Sequence, residues 1–206
     1  MLTYPVGFLG AAKKNPLTIA SACSYSSATS FTANLGAAGA DIFVAVVCYN
    51  AGSSGAPPTS VTVGGLSLTR VANAAAGSDG GSIWFGAGPS SGGNQTVAVT
   101  GGGSMIKVYK AYVIRGSVSA SFDAKASSVG TSVSLRAAAG GVVAAIETSI
   151  NAAASVWTGA TNNDHYNTGS LDTSWASYAA TAAESAHAIS VDRSDGSPLI
   201  AASFKP

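Results

Sequence analysis

The chain carries two glutamates, Glu147 and Glu184, and two histidines, His165 and His187, and these are the first residues to weigh for chemistry. A glycosidase needs two carboxyl groups about 5 to 10 Å apart across the scissile bond. Nothing in the spacing pairs Glu147 with Glu184, and Asp164 and Asp172 fall in a stretch that reads as irregular. The expectation is solvated turn carboxylates. A nucleophilic triad is no better marked. Serine is abundant, but no GxSxG elbow is present, and His165 beside Asp164 or His187 near Asp192 is too generic to specify one. For metals, Cys23 and Cys48 form no CxxC motif and no Cys/His cluster. Asp192-Arg193-Ser194-Asp195-Gly196 is acidic and turn-forming. It lacks the spacing of a calcium loop and reads as a hairpin with Asp195-Gly196 at its tip. No catalytic residue, metal ligand or cofactor is therefore assigned.

The aromatic residues are the stronger signal. Trp157, Tyr166, Trp175 and Tyr178 gather around the irregular stretch 151–173, with Asn162, Asn163, Asp164 and Asn167 among them. Exposed rings there could stack on sugars while the amides and carboxylate bond hydroxyls. The same rings suit a protein interface or a core. Trp84 and Phe85 are adjacent in one strand, so their side chains point to opposite faces. One is expected in the core and the other at the surface or an interface.

These residues must be held by β-structure. Of 206 residues, 9% are charged, 47% are hydrophobic and 25 are glycine, with a net charge of +1. Ten Lys and Arg against nine Asp and Glu make no basic footprint for nucleic acid. The hydrophobic content argues against disorder. A membrane-spanning helix needs about 20 apolar residues; the longest strongly apolar run here, Ile42 to Cys48, is of strand length. The N-terminus has no Lys or Arg ahead of its apolar residues, so no signal peptide is expected. Two cysteines are too few for a disulfide framework. They read as small buried residues, or as a bridge if their Cα atoms approach within about 7 Å.

Strand signals recur through the chain, separated by turns such as Gly64-Gly65, Gly92-Gly93-Asn94 and Gly101-Gly102-Gly103. Short strands at such spacing predict a sandwich or barrel. The expected fold is all-β: one jelly-roll-like antiparallel β-sandwich over residues 17–206, preceded by an N-terminal arm over 1–16. Helix is expected for one or two turns at most, at Ala72–Ala76 and Ala179–Ala183. No internal repeat is legible. In Met105–Arg115, alternation places Ile106, Val108, Tyr112 and Ile114 against a core and Lys107, Tyr109, Ala111, Val113 and Arg115 on a wetter face. Lys110 breaks the pattern, and its stem is expected to snorkel past the sheet edge. Asp41–Tyr49 is apolar on both faces, as for a central strand covered by a second sheet and by a neighbouring subunit. Tyr4, Val6, Phe8 and Leu9 of the arm, with Phe43 and Trp84, are the candidate interface residues.

The run SFTANLGAAGADIFVAVVCYN, followed by TSVTVGGLSLTRVANA and IWFGAGPSSGGNQTVAVT, resembles a β-sandwich family found in tailed-bacteriophage and prophage genomes. The resemblance continues through MIKVYKAYVIRGSV, GGVVAAIET and VWTGATNNDHYN to LIAASFKP, so it covers roughly 29–206. It rests on strand and turn patterns and brings no catalytic residues. It implies a non-enzymatic virion component. The first expectation is a head decoration protein bound to the major capsid protein as a homo-oligomer, by analogy a trimer, assembled in the host cytoplasm. The alternative is a tail-fibre or baseplate module that contacts neighbouring tail proteins and binds a host-surface glycan through Trp157, Tyr166, Trp175 and Tyr178.

Overall fold

A computed structural model describes residues 15–51, 55–103, 105–118, 121–127, 130–149, 155–168, 172–192 and 198–206. Tyr4, Val6, Phe8 and Leu9, the arm they belong to up to residue 14, and the Asp195-Gly196 turn lie outside those residues.

The chain is all-β and antiparallel, as the composition predicts. Four sheets stack as layers. Sheet I has the order β1 (Thr18–Ser21), β9 (Lys107–Arg115), β3 (Ile42–Ala51), β7 (Asp79–Ala87), β6 (Thr69–Ala76). Sheet II has the order β2 (Ser30–Asn34), β8 (Asn94–Gly101), β4 (Pro58–Val63), β5 (Leu66–Ser67). The later strands form two further sheets, of which sheet III is ordered β10 (Ser121–Ser127), β17 (Leu199–Phe204), β12 (Val142–Ser149), β15 (Asp172–Ala179), β14 (Thr161–Asn167). Sheet IV is ordered β11 (Ser132–Ala137), β16 (Glu184–Val191), β13 (Trp157–Thr158).

Three cores separate the four layers. Val44, Val46, Cys48, Trp84 and Tyr109 of sheet I meet Ala33, Val61, Val63 and Val97 of sheet II. Sheet I turns its other face, with Val47, Tyr49, Ile83 and Tyr112, to Val142, Ile146, Trp175, Ile200 and Phe204 of sheet III. Leu199, Ala201 and Val143 of sheet III then pack on Val133, Leu135 and Ile189 of sheet IV. Strands β3, β9, β12 and β17 are therefore covered on both faces, which explains why apolar residues occupy both faces of each.

This corrects several sequence readings. The second cover of β3 comes from the same chain. The wetter face of β9 is not wet: Tyr109, Ala111 and Val113 are buried against sheet II. Lys110 does not reach past an edge; it is buried in a strand flanked by β1 and β3. Ala72–Ala76 is strand, not a helical turn, and Ala179–Ala183 forms the end of β15 and a loop. The stretch read as irregular contains β13, β14 and the start of β15. Trp84 and Phe85 do point to opposite faces, but both are buried. The Trp84 indole N–H donates to Ser82 Oγ at 3.1 Å and Arg70 sits over its ring. Trp84 is thus no interface residue. Phe43 is half-buried and stacked on Phe85.

The chain also contains the repeat that the sequence hid. Replacing β1, β9, β3, β7, β6 by β10, β17, β12, β15, β14 turns sheet I into sheet III, and β2, β8, β4 into β11, β16, β13 turns sheet II into sheet IV. Among the described residues, only the short β5 has no counterpart. The correspondence extends to single bonds. Val99 N–H donates to Thr29 C=O in the first half, and Val191 N–H to Thr131 C=O in the second. Gly88 N–H donates to Ile42 C=O, and Ala180 N–H to Gly141 C=O. A bulge between Arg70 and Ala72, opposite Trp84 and Ile83, recurs between Asn162 and Asp164, opposite Ala176 and Trp175. Bulges are built features that persist within a fold. The two halves are copies of one β-sandwich, packed through their larger sheets, so residues 17–206 hold two sandwiches where the sequence reading expected one.

Candidate functional site

The repeat supplies a residue-by-residue standard. Where the copies carry different chemistry at one position, shared architecture cannot be the reason. Three polar groupings stand out, and all draw on the second half.

The first lies between sheets III and IV. Glu147 is 2% exposed. It accepts hydrogen bonds from Ser155 Oγ at 2.6 Å and Ser174 Oγ at 3.1 Å, and Ser174 Oγ accepts the Trp157 indole N–H at 3.0 Å. The reading of Glu147 as a solvated turn carboxylate is therefore overturned. The fully buried Asp172 lies on the same sheet face, two residues along β15 from Ser174, and pairs with His165 Nε2 at 2.5 Å.

The second surrounds His187. Its Nδ1 lies 2.7 Å from Glu184 Oε2 and its Nε2 2.7 Å from Gly159 C=O. Tyr178 stacks on the imidazole at 4.0 Å and donates its hydroxyl to Glu184 Oε1 at 2.7 Å. That hydroxyl bond, with the imidazole beside it, holds the Glu184 carboxyl below the usual carboxylate range. The same bond raises the Tyr178 phenol. Glu184 is thus a bonded strand residue, not a free turn carboxylate.

The third sits at the seam between the halves. Lys110 is 1% exposed, and its ammonium donates to Asp164 Oδ2 at 3.0 Å and to Cys23 C=O at 3.1 Å. Asp164 also accepts the backbone N–H groups of Tyr25 and His165. Beside it, Tyr112 donates its hydroxyl to Asn163 Oδ1 at 2.9 Å. Burial, reinforced by the Asp164 charge, pushes the Tyr112 phenol well up, and burial also raises the Cys23 thiol. A pocket of about 410 Å³ opens over this cluster, lined by Ser21, Ala22, Cys23, Ser24, Lys110, Asn163 and Asp164. Tyr25, 40% exposed, stands next to it, stacked parallel to Trp175 and edge-on to Tyr166 at 5.1 Å.

The four aromatics proposed for glycan stacking do not form one platform. Trp175 is fully buried in the central core, which removes it. Trp157 and Tyr178 are half-buried on the sheet IV side, and Tyr166 is half-buried on the sheet I side. Sequence reasoning missed Tyr25 and Lys110, because only the fold brings them to Asp164. Among the described residues, no group of three His, Cys, Asp or Glu could hold a metal ion, and Cys23 and Cys48 are free thiols. No helix among those residues is long and apolar enough to cross a membrane. Comparison with protein-family models, curated proteins and solved structures gives no match.

Proposed function

We propose that the chain is a non-enzymatic structural component of a tailed-bacteriophage virion, displayed on the head as a decoration protein. It binds the major capsid protein as a homo-oligomer. The resemblance over roughly 29–206 suggests the setting. One observation supports the role: the groups best suited to chemistry, Glu147, Glu184, Lys110 and both histidines, are engaged in bonds internal to a four-layer stack. Such bonding suits persistence rather than turnover.

Immunogold labelling of intact particles, with antibody raised against the recombinant chain, tests this reading. Gold over the whole head is expected. Gold confined to the tail tip overturns the head assignment.

A second reading is favoured by a specific feature. Tyr25 and Tyr166 form a ring pair, and the Tyr25 backbone N–H bonds Asp164, a residue that lines a polar pocket; this suits a carbohydrate-binding module of a tail fibre or baseplate that recognises a host-surface glycan. A glycan array probed with the whole chain distinguishes the two.

A further inference from the structure

The two copies give the seam a built-in control. Aligned through the shared bulge and strand registers, Lys110 corresponds to Ile200, Tyr112 to Ala202, Asp164 to Ala72 and Asn163 to Val71. β17 lies over β6, and Ile200 and Ala202 share the central core with Val71 and Ala72. The corresponding pair, β9 and β14, is joined by Lys110 and Asp164. The same scaffold therefore makes this contact twice, once with apolar residues and once with an ion pair whose lysine is buried.

The apolar version shows that packing alone does not require charge. A buried ion pair is often no more stabilising than apolar residues of similar size. A pocket lies over the polar version. We infer that the seam pocket over Lys110 and Asp164 is a binding site for a single neutral sugar residue of a glycan.

The chemistry of the pocket selects that class. Lys110 and Asp164 neutralise one another, so the floor carries no net charge and offers nothing to favour an ionic ligand. Ser21, Ser24, Asn163 and Asp164 are among the lining residues, and hydroxyl, amide and carboxylate groups are the chemistry that matches a ring of hydroxyls. Tyr25 follows Ser24 and is tied to Asp164 through its backbone N–H; its ring, 40% exposed as a residue, is held by Trp175 and Tyr166 and offers an apolar surface to a sugar face at the pocket margin. The volume of about 410 Å³ lies within the range of small-ligand sites. This inference rests on the carbohydrate-binding reading above and gives it a location.

Saturation-transfer NMR on the full chain tests it, with the methyl glycosides of glucose, galactose, mannose and N-acetylglucosamine as probes. At least one should receive magnetisation at its ring protons at about 10 mM, the regime of weak millimolar binding. Ser24→Trp, a change at an exposed position, should abolish the transfer by filling the pocket. The double variant Lys110→Ile/Asp164→Ala rebuilds the seam as its apolar counterpart, and should keep the fold while weakening binding at least about tenfold, or about 1.4 kcal/mol. Absence of transfer to all four glycosides overturns the inference, as does transfer undiminished in both variants. Glycan-array binding that survives Ser24→Trp would leave the carbohydrate reading standing and remove it from the seam.

Discussion

Cys48 and Glu147 occupy the same place in the two copies, each directly opposite a serine, Ser82 and Ser174 respectively. Each serine accepts a tryptophan indole N–H, from Trp84 in the first copy and Trp157 in the second. The tryptophans come from different strands, yet the local solution is the same. In the first copy the position is apolar enough for a thiol that burial pushes far up. In the second, two serine hydroxyls compensate a carboxylate.

That difference predicts the response to substitution. Glu147→Ala leaves Ser155 and Ser174 without their acceptor and opens a cavity in the core between sheets III and IV. It should cost about 2 to 4 kcal/mol. Glu147→Gln keeps the shape and an acceptor oxygen and should cost about half as much. Urea unfolding of the three proteins checks the order.

The seam pair gives a second prediction, on stability rather than binding. Asp164→Ala strands the buried Lys110 ammonium and should cost about 3 kcal/mol, whereas Lys110→Ile leaves a carboxylate that is 23% exposed and still accepts two backbone N–H groups, and should cost less. Together they should cost less than either, because the apolar combination already exists at Ile200 and Ala72. A double-mutant cycle measured by chemical denaturation gives the coupling. Additive losses would mean that the pair is not a unit.

Acid should act through Glu184. Its carboxyl titrates below the ordinary value of about 4.3 because Tyr178, then His187, favours the ionised form. A lowered folded value contributes stability that is present above the unfolded value and lost as pH falls through the folded one. Tyr178→Phe should therefore raise the Glu184 titration midpoint, followed by carboxyl NMR. Its stability deficit should be largest near neutral pH and shrink as the pH falls below about 4.

Much of the fold was legible, and the failures arise where long-range packing decides a residue's surroundings. The glycine turns and the doubly apolar run Ile42–Cys48 marked an all-β sandwich because backbone sterics and two-sided burial leave local traces. The alternation in Met105–Arg115 misled because a four-layer stack buries both faces of β9, so Tyr109 and Lys110 are both interior. The repeat was hidden because its equivalent residues differ in kind: Lys110 against Ile200, Cys48 against Glu147, Ile83 against Trp175. What the copies share is register and a bulge, which composition does not record. The seam site was invisible because Tyr25 and Asp164 are brought together only when the copies dock.

Gly159 carries the last prediction. Its φ of +80° lies in the left-handed region. A Cβ there would sit 2.0 Å from the Ala188 carbonyl oxygen. Its own carbonyl accepts from His187 Nε2, so a shift of this backbone also disturbs the Tyr178–Glu184–His187 grouping. Gly159→Ala should destabilise by about 2 kcal/mol or more, combining the φ penalty with the backbone clash. Gly65→Ala is the matched control: its φ is +85°, but nothing lies within 4 Å of an added Cβ. That change should cost only the conformational penalty, about 1 kcal/mol. Thermal unfolding of both variants separates the two contributions, and equal losses would show that the contact with Ala188 carries no energetic weight.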